Sequence, residues 1–498
     1  MRCRSSAVWY GLPDPYRNIA KNHIKSTPIC FIGPDIMRRH HRKAGQLPKN
    51  AVPIEVVIDH VGGRGDGVGT ATYTHNYETK EHLVFIPATL PTERVIAQPI
   101  SLSGQGMKAR IIELLEESPD RQAPACDAFP ACGGCSFQHW HPDKVGKWKQ
   151  QQVEHFLFRA GVSPGQYRPL HASPMNGRRR ATFHLKRLSG GVAAGFHERQ
   201  GQRIIDPVGC SILHPDLVTL LDQLRALAAD ILPTGTMIDA RVNLLDQGPC
   251  VQLAMAETGK STHSLDKSPD IMTALGSWAV ATGLARLSLL PSENRATAIP
   301  LFCPAPPTLK FGDITISPPP GAFLQASTDG EACLQGAVAE IVGTAKSAVD
   351  LFAGCGTLSL PLVRTLSSLH AVEQDQGALA SLKAGVDSAG LGAHVTTRCS
   401  DLANAPLTVE DLANFDVAII DPPRNGADAQ TMMLAKSGVQ RIAMVSCNPA
   451  TFARDAATLC DGGFVCDWVQ VIDQFRMTNH IEIVAQFTNG SARQRRSQ

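Results

Sequence analysis

The sequence predicts an α/β protein, with a mostly parallel, helix-covered sheet in its C-terminal third preceded by a small antiparallel β-barrel and a mixed α+β segment. Two rhythms carry this prediction. From about Ala345, apolar strands at Ala348 to Phe352, His370 to Val372, Val417 to Ile420 and Ile442 to Val445 alternate with helical segments, the pattern of a parallel sheet buried on both faces. From Ile54 to about Leu115, the short β-branched runs Val56-Val57-Ile58, Leu83-Val84-Phe85-Ile86 and Ala109-Arg110-Ile111-Ile112 are separated by turn residues, including the glycine-rich Gly62 to Gly67. A chain of 498 residues is also too long for one core, and at roughly 100 to 200 residues per domain about three domains are expected.

Residues 1–50 read as a disordered basic extension. They carry ten Lys/Arg against Asp14 and Asp35, whereas the whole chain is only +2, so the remainder is net acidic and any affinity for a polyanion must come from local patches. A solvated tail, or a start upstream of a true first residue at Met37, is favoured over an RNA-binding arm, because a charge run alone is unspecific. Residues 51–115 make the barrel, with Arg64, Lys80, Arg94, Lys108 and Arg110 as candidates for a basic face. A purely structural barrel explains the pattern equally well. Residues 116–325 form a central domain with a cysteine cluster and a helix from Pro142 to Gly161, whose polar side is expected to carry Lys144, Lys147 and Lys149. Strands are expected at Ala181 to Leu188 and Ala193 to Phe196, and residues 216–316 show no nameable motif. Residues 326–488 hold the parallel sheet and end, within 464–487, in two strands around Gln474 to Thr478; residues 489–498 are a basic tail.

Composition narrows the class. Apolar and charged fractions of 43% and 18% are ordinary for a soluble globular protein, and no apolar run of about 18 residues offers a membrane span. The 14 cysteines are too sparse and uneven for a disulfide scaffold, which favours a reducing, cytoplasmic compartment with a few cysteines kept for chemistry.

In Asp350 to Pro361, DLFAGCGTLSLP, Gly354 and Gly356 fall at the tip of the first parallel strand, just before an expected helix, where backbone amides can approach a ligand. Ser359 stands where a dinucleotide fingerprint needs its third glycine, so pyrophosphate binding is not supported. Glu373 closes the second strand, where a carboxylate can accept both ribose hydroxyls. Asp401 after the third strand would reach the adenine side, and Asp421 after the fourth the methionine end. These positions suit S-adenosylmethionine, which has a ribose but no pyrophosphate.

Strand four ends in Asp421-Pro422-Pro423-Arg424-Asn425-Gly426 and strand five in Ser446-Cys447-Asn448-Pro449, both at the carboxyl edge of the sheet. Cys447 is thereby placed for reaction. Uracil carbon 5 is too weak a nucleophile to take a sulfonium methyl group unless a thiolate first adds at carbon 6, and the carbon-5 proton then needs a general base. Glu482, in His480-Ile481-Glu482, is the candidate base. Cys355, Cys399, Cys460 and Cys466 are read instead as small buried hydrophobes.

Cys126, Cys132 and Cys135 fall in CDAFPACGGC, and Cys210 in DPVGCSILHP is the nearest later cysteine able to complete a four-thiolate site. Such a set suits zinc or an iron-sulfur cluster, and spacing does not choose.

Taken together, the Cys-x5-Cys-Gly-Gly-Cys run with a later Cys, Phe323 to Gln325, DLFAGCGTLSLP, DPPRNG, SCNPATFARD and HIEIV resemble the bacterial 23S ribosomal-RNA (uracil-5-)-methyltransferases of the RlmD (RumA) type, relatives of the transfer-RNA enzyme TrmA, over residues 51 to about 488. The resemblance implies a class I Rossmann-like methyltransferase domain behind an OB-like TRAM barrel. It further implies that Cys126, Cys132, Cys135 and Cys210 hold a [4Fe-4S] cluster, and that Gln325, Phe352, Thr357, Glu373, Asp401 and Asp421 line an adenosylmethionine pocket. Cys447 would be the nucleophile and Glu482 the base. Ser327 and Thr357 stand where such enzymes often have Asn. Because the transfer-RNA relative lacks barrel and cysteine run, the likeness favours a ribosomal RNA partner; a monomer is expected. Arg178-Arg179-Arg180 offers a phosphate patch. The rivals are a non-catalytic RNA-binding protein on a methyltransferase scaffold, a transfer-RNA uridine methyltransferase, and a dinucleotide oxidoreductase weakened by Ser359.

Overall fold

The computed structural model describes residues 45–75, 77–255, 268–290 and 298–490. Nearly all of the expected basic extension, and the tail from residue 491, lie outside these.

Strands Ile54–Val61, Asp66–His75, Glu78–Pro87, Arg94–Ser103 and Gly106–Glu116 close into a barrel. All pairings around it are antiparallel except the short parallel contact of Val84 and Phe85 with Met107 and Lys108. Alternation from Ile54 to Asp59 sends Ile54, Val56 and Ile58 inward to meet Val84, Ile86, Val95 and Met107. At Gly69 the strands approach so closely that a Cβ would lie 2.2 Å from the Val57 carbonyl oxygen. The expected basic face is partly neutralised, since Lys80 pairs with Glu78 and Arg94 with Glu55 and Glu116.

A seven-stranded sheet follows, in the order Ile204–Ile205, Gly191–His197, Arg180–Leu188, Met237–Leu245, Gly248–Met255, Arg286–Leu290 and Ile299–Phe302. Helices Pro215–Ile231 and Pro269–Ala281 bury Leu217, Leu221, Leu224 and Leu275 against Phe183, Leu185, Ile238 and Val251. Only one face of this sheet is so covered.

The C-terminal sheet runs Val395–Cys399, Ser368–Glu373, Ser347–Leu351, Val417–Ile420, Arg441–Ser446, Glu482–Asn489 and Phe464–Asp473. The first five are parallel and the last two antiparallel, the α/β order expected. Val417 and Ile419 enter one core and Ala418 and Ile420 the other, so the strand must be apolar throughout.

Helix Pro142–Arg159 packs on this sheet: Trp148, Val153 and Leu157 share a core with Phe452 and Val469, and the short strands Gln166–Tyr167 and His171–Ala172 extend the sheet beside Phe464–Asp473. Lys149 corrects the sequence reading. It stands four residues from both Val145 and Val153, on the buried face of the helix, with Nζ 2.6 Å from Asp473 Oδ1 and 3.0 Å from the Phe475 carbonyl. Cys399 is likewise exposed rather than buried, because it ends the edge strand; Cys355 and Cys466 are buried as expected.

Candidate active site

The chain turns sharply after Leu351. Phe352, Gly354 and Gly356 adopt φ of 63°, 54° and 87°, a left-handed conformation that costs a bulky residue such as Phe352 about 1 to 3 kcal/mol. The Gly354 amide donates to Glu373 Oε2 at 3.0 Å, while the Gln374 and Asp375 amides donate to Oε1 at 2.8 Å. Three backbone donors thus fix the carboxylate that closes the second strand. The helix expected after the glycines does not form; only a 3₁₀ turn, Leu360–Leu362, follows. Pro361 has no N–H to give the Thr357 carbonyl, which instead accepts from Gln335 Nε2 at 2.9 Å. Asp401, exposed beyond the third strand, binds its own turn through the Ala403 amide and Asn404 Nδ2.

Cys447 and Asp421 end neighbouring strands, and Glu482 begins the antiparallel strand next to Cys447. Burial, then the carboxylates of Glu482 and Asp421, push the Cys447 thiol up to about 11, against the pull of Arg424. The ligand-free thiol is therefore protonated at neutral pH, and its activation must come from a change in that surrounding charge. Asn448 caps the helix Pro449–Asp461, and its Nδ2 donates to the Arg424 carbonyl at 2.9 Å, locking the two motif loops together. Burial and the charge of Asp421 raise Glu482 well above the usual carboxylate range, opposed by the hydrogen bond from Gln474 and by Arg180 and Arg424. Burial also raises Asp421, and it lifts the fully enclosed Asp350 to about 7, with Asp421 and Glu373 adding to the effect. Carboxylates so placed cannot all ionise, whereas a cation bound among them would let them.

Sequence reading missed two contributors. Gln474 Nε2 donates to Glu482 Oε2 at 3.1 Å and to Gln325 Oε1 at 2.8 Å, while its Oε1 accepts from the Ala326 amide at 3.0 Å. Arg424 faces both Cys447 and Glu482 and reaches His480 Nδ1 at 3.2 Å. Nothing in periodicity marks a loop glutamine, but Arg424 sat inside a quoted motif. Ser327 caps helix Thr328–Val342, its Oγ accepting from the Gly330 amide.

Cys126, Cys132, Cys135 and Cys210 line one cavity of about 180 Å³, whose wall also includes Arg178, Thr478, Asn479 and His480. Among the described residues no group of three or more His, Cys, Asp or Glu is arranged to hold a single metal ion. The turn that leads to Glu482 leans on the cysteine loop, because the Ser136 and Phe137 amides both donate to the Met477 carbonyl, at 2.8 and 3.0 Å.

The family model described as tRNA (uracil-5-)-methyltransferase matches residues 319–488. A relative from Brucella suis named only as an RNA methyltransferase is 35% identical over 436 residues, 88% of this chain and 98% of the relative. The chain belongs to a family of RNA methyltransferases. A 23S rRNA (uracil(1939)-C(5))-methyltransferase RlmD from Alkalilimnicola ehrlichii is 29% identical, covering 90% of this chain and 98% of its own. Among solved structures, the Pyrococcus abyssi tRNA (uracil-54, C5)-methyltransferase in complex with S-adenosyl-L-homocysteine shares the fold with a TM-score of 0.63 at 18% identity, over 87% of this chain and 99% of that one.

Of the three consecutive arginines, one is not available to a phosphate. Arg179 is buried against Glu331, with Nη2 2.6 Å from Oε2, while Arg178 and Arg180 turn toward the cysteine cavity and Glu482 respectively.

Proposed function

We propose that this chain transfers a methyl group from S-adenosylmethionine to carbon 5 of a uridine in RNA, with 23S rRNA as the target. The observation that supports it most is the approach of Cys447, Glu482 and Asp421 at the carboxyl edge of the sheet, one strand from the Gly354 loop. The Cys447 thiolate would add to carbon 6, moving the electron pair of the carbon 5–carbon 6 double bond onto carbon 5 and the oxygen of the neighbouring carbon-4 carbonyl. Carbon 5 then takes the methyl group, Glu482 accepts the carbon-5 proton, and re-formation of the double bond expels the thiolate. Glu373, Asp421, Phe352, Thr357, Gln325 and, at the rim, Asp401 would hold the donor; its sulfonium would offset the crowded carboxylates.

The four cysteines are read as ligands of a [4Fe-4S] cluster rather than zinc on the strength of the family resemblance. All four line one cavity, and soft thiolates are the ligands such a cluster takes. Bound there, such a cluster would supply a covalent cross-link between the cysteine loop and the Cys210 segment. The choice of ribosomal RNA rests on the Alkalilimnicola relative and on the cysteine cavity. The second reading, a transfer-RNA uridine, rests on the shared archaeal fold. Mass mapping of modified uridines in both RNAs from a deletion strain decides between them: loss of one 5-methyluridine in 23S rRNA is expected, and loss only in transfer RNA would overturn the ribosomal target.

A further inference from the structure

A second cavity, of about 210 Å³, opens on the face of the central sheet opposite helices Pro215–Ile231 and Pro269–Ala281 and is lined by Arg178, Arg180, Thr182, Arg241 and Asn243 together with the backbone turn at Gly321 and Ala322. Register explains the grouping. Asn243 pairs with Arg180 and Arg241 with Thr182 across antiparallel strands, so all four side chains project to one face, while Ala181, Phe183, Ala240 and Val242 project into the helix-covered core. Three guanidinium groups therefore share a cavity whose lining contains no carboxylate. Arg241 is exposed at the mouth and forms no ion pair among the described residues; burial pulls Arg180 down to about 10, with Arg178 contributing. Asn243 Nδ2 donates to the Ala322 carbonyl at 2.9 Å, which fixes the turn, and its buried Oδ1 has no hydrogen-bond partner among the described residues. Arg180 lies 4.2 Å from the ring centre of the exposed Phe323 and also faces Glu482, so the cavity adjoins the reacting centre.

We propose that this cavity is a phosphate subsite for the substrate RNA, with Arg241 and Arg180 holding a backbone phosphate beside the target nucleotide. The proposal rests on the RNA reading above. It fits the charge of a chain whose body is net acidic: such a protein needs a concentrated cationic pocket to hold a polyanion, and paired guanidinium forks match phosphate geometry. The Asn243 Oδ1 acceptor suits the adjoining ribose hydroxyl.

The test compares the holoprotein with Arg241→Ala and Arg241→Lys by fluorescence anisotropy on a labelled single-stranded oligouridylate across a salt series. Adenosylmethionine affinity and melting temperature are measured alongside. Arg241→Ala should bind the RNA about tenfold more weakly at low salt. Its slope of log affinity against log salt should flatten by about 0.7, one single-strand phosphate contact, and Arg241→Lys should restore the slope. Adenosylmethionine binding and melting should not change. An unchanged salt slope, no RNA binding by the wild-type chain, or a loss of adenosylmethionine affinity in place of RNA affinity overturns the subsite. Methyl transfer is scored separately on transcribed ribosomal and transfer RNA, so a wild-type chain that shows the binding effect but methylates neither overturns only the catalytic reading.

Discussion

Gln474 donates to the Glu482 carboxylate, Nε2 to Oε2 at 3.1 Å, and thereby ties the proposed base to Gln325 in the phenylalanine-leucine-glutamine motif far upstream. Because this bond favours the charged carboxylate, Gln474→Leu should raise the Glu482 pKa further. A base works only when deprotonated, so the rise of kcat with pH should move to higher pH, with about tenfold less activity at neutrality and recovery in alkali. A pH-rate profile checks it; an unshifted midpoint would remove Gln474 from the proton chemistry.

Lys149 and Asp473 form a pair that is buried at both ends, with Arg476 as a more distant second cation 3.7 Å from Asp473. Lys149→Met should leave Asp473 poorly compensated and cost about 3 to 5 kcal/mol in denaturant unfolding. A loss under about 1 kcal/mol would show that Arg476 alone suffices.

Asp350, lifted to about 7, binds a proton in the folded chain that it has released in the unfolded chain between ordinary aspartate pH and about 7. Across that window the folded state holds more protons, so ligand-free stability should fall as pH rises. Asp350→Asn should flatten the decline, and adenosylmethionine should reduce it in the wild type. Melting temperature against pH is the measurement, and a parallel decline in wild type and Asp350→Asn would contradict the assignment.

The cysteine cavity predicts its own contents. Anaerobically purified protein should be brown and carry iron and sulfide, and Cys132→Ala with Cys135→Ala should lose both. Since Ser136 and Phe137 hold Met477, the same double variant should also loosen the turn before Glu482, seen as faster amide exchange there. Stoichiometric zinc without iron would refute the cluster.

The parallel sheet and barrel were legible because continuous apolar strands and β-branched runs between glycines have few alternative readings. The placement of Cys447 and Glu482 at adjoining strand ends was legible because both lie in motifs at the tips of expected strands. Lys149 was not, since a lysine in a helix is read as solvated until an aspartate from the far end of the chain, Asp473, meets it. The three consecutive arginines were legible only in part: Arg179, just before the strand, is taken up by Glu331, whereas Arg178 and Arg180 face a cavity completed by Arg241. Pro361 was in plain view, but that Gln335 would satisfy the carbonyl it abandons depends on tertiary packing.

The central proposal is that Cys447 forms a covalent bond to the uridine before methyl transfer and that Glu482 is needed only afterwards. Denaturing gel electrophoresis with a tritiated methyl donor tests this order most directly. Glu482→Gln should accumulate a labelled protein-RNA complex on ordinary uridine substrate, with turnover slowed about 10²- to 10⁴-fold, and Cys447→Ala should give neither complex nor methylated RNA. Release of free methylated RNA by Glu482→Gln at the wild-type rate, or by Cys447→Ala at all, would contradict it.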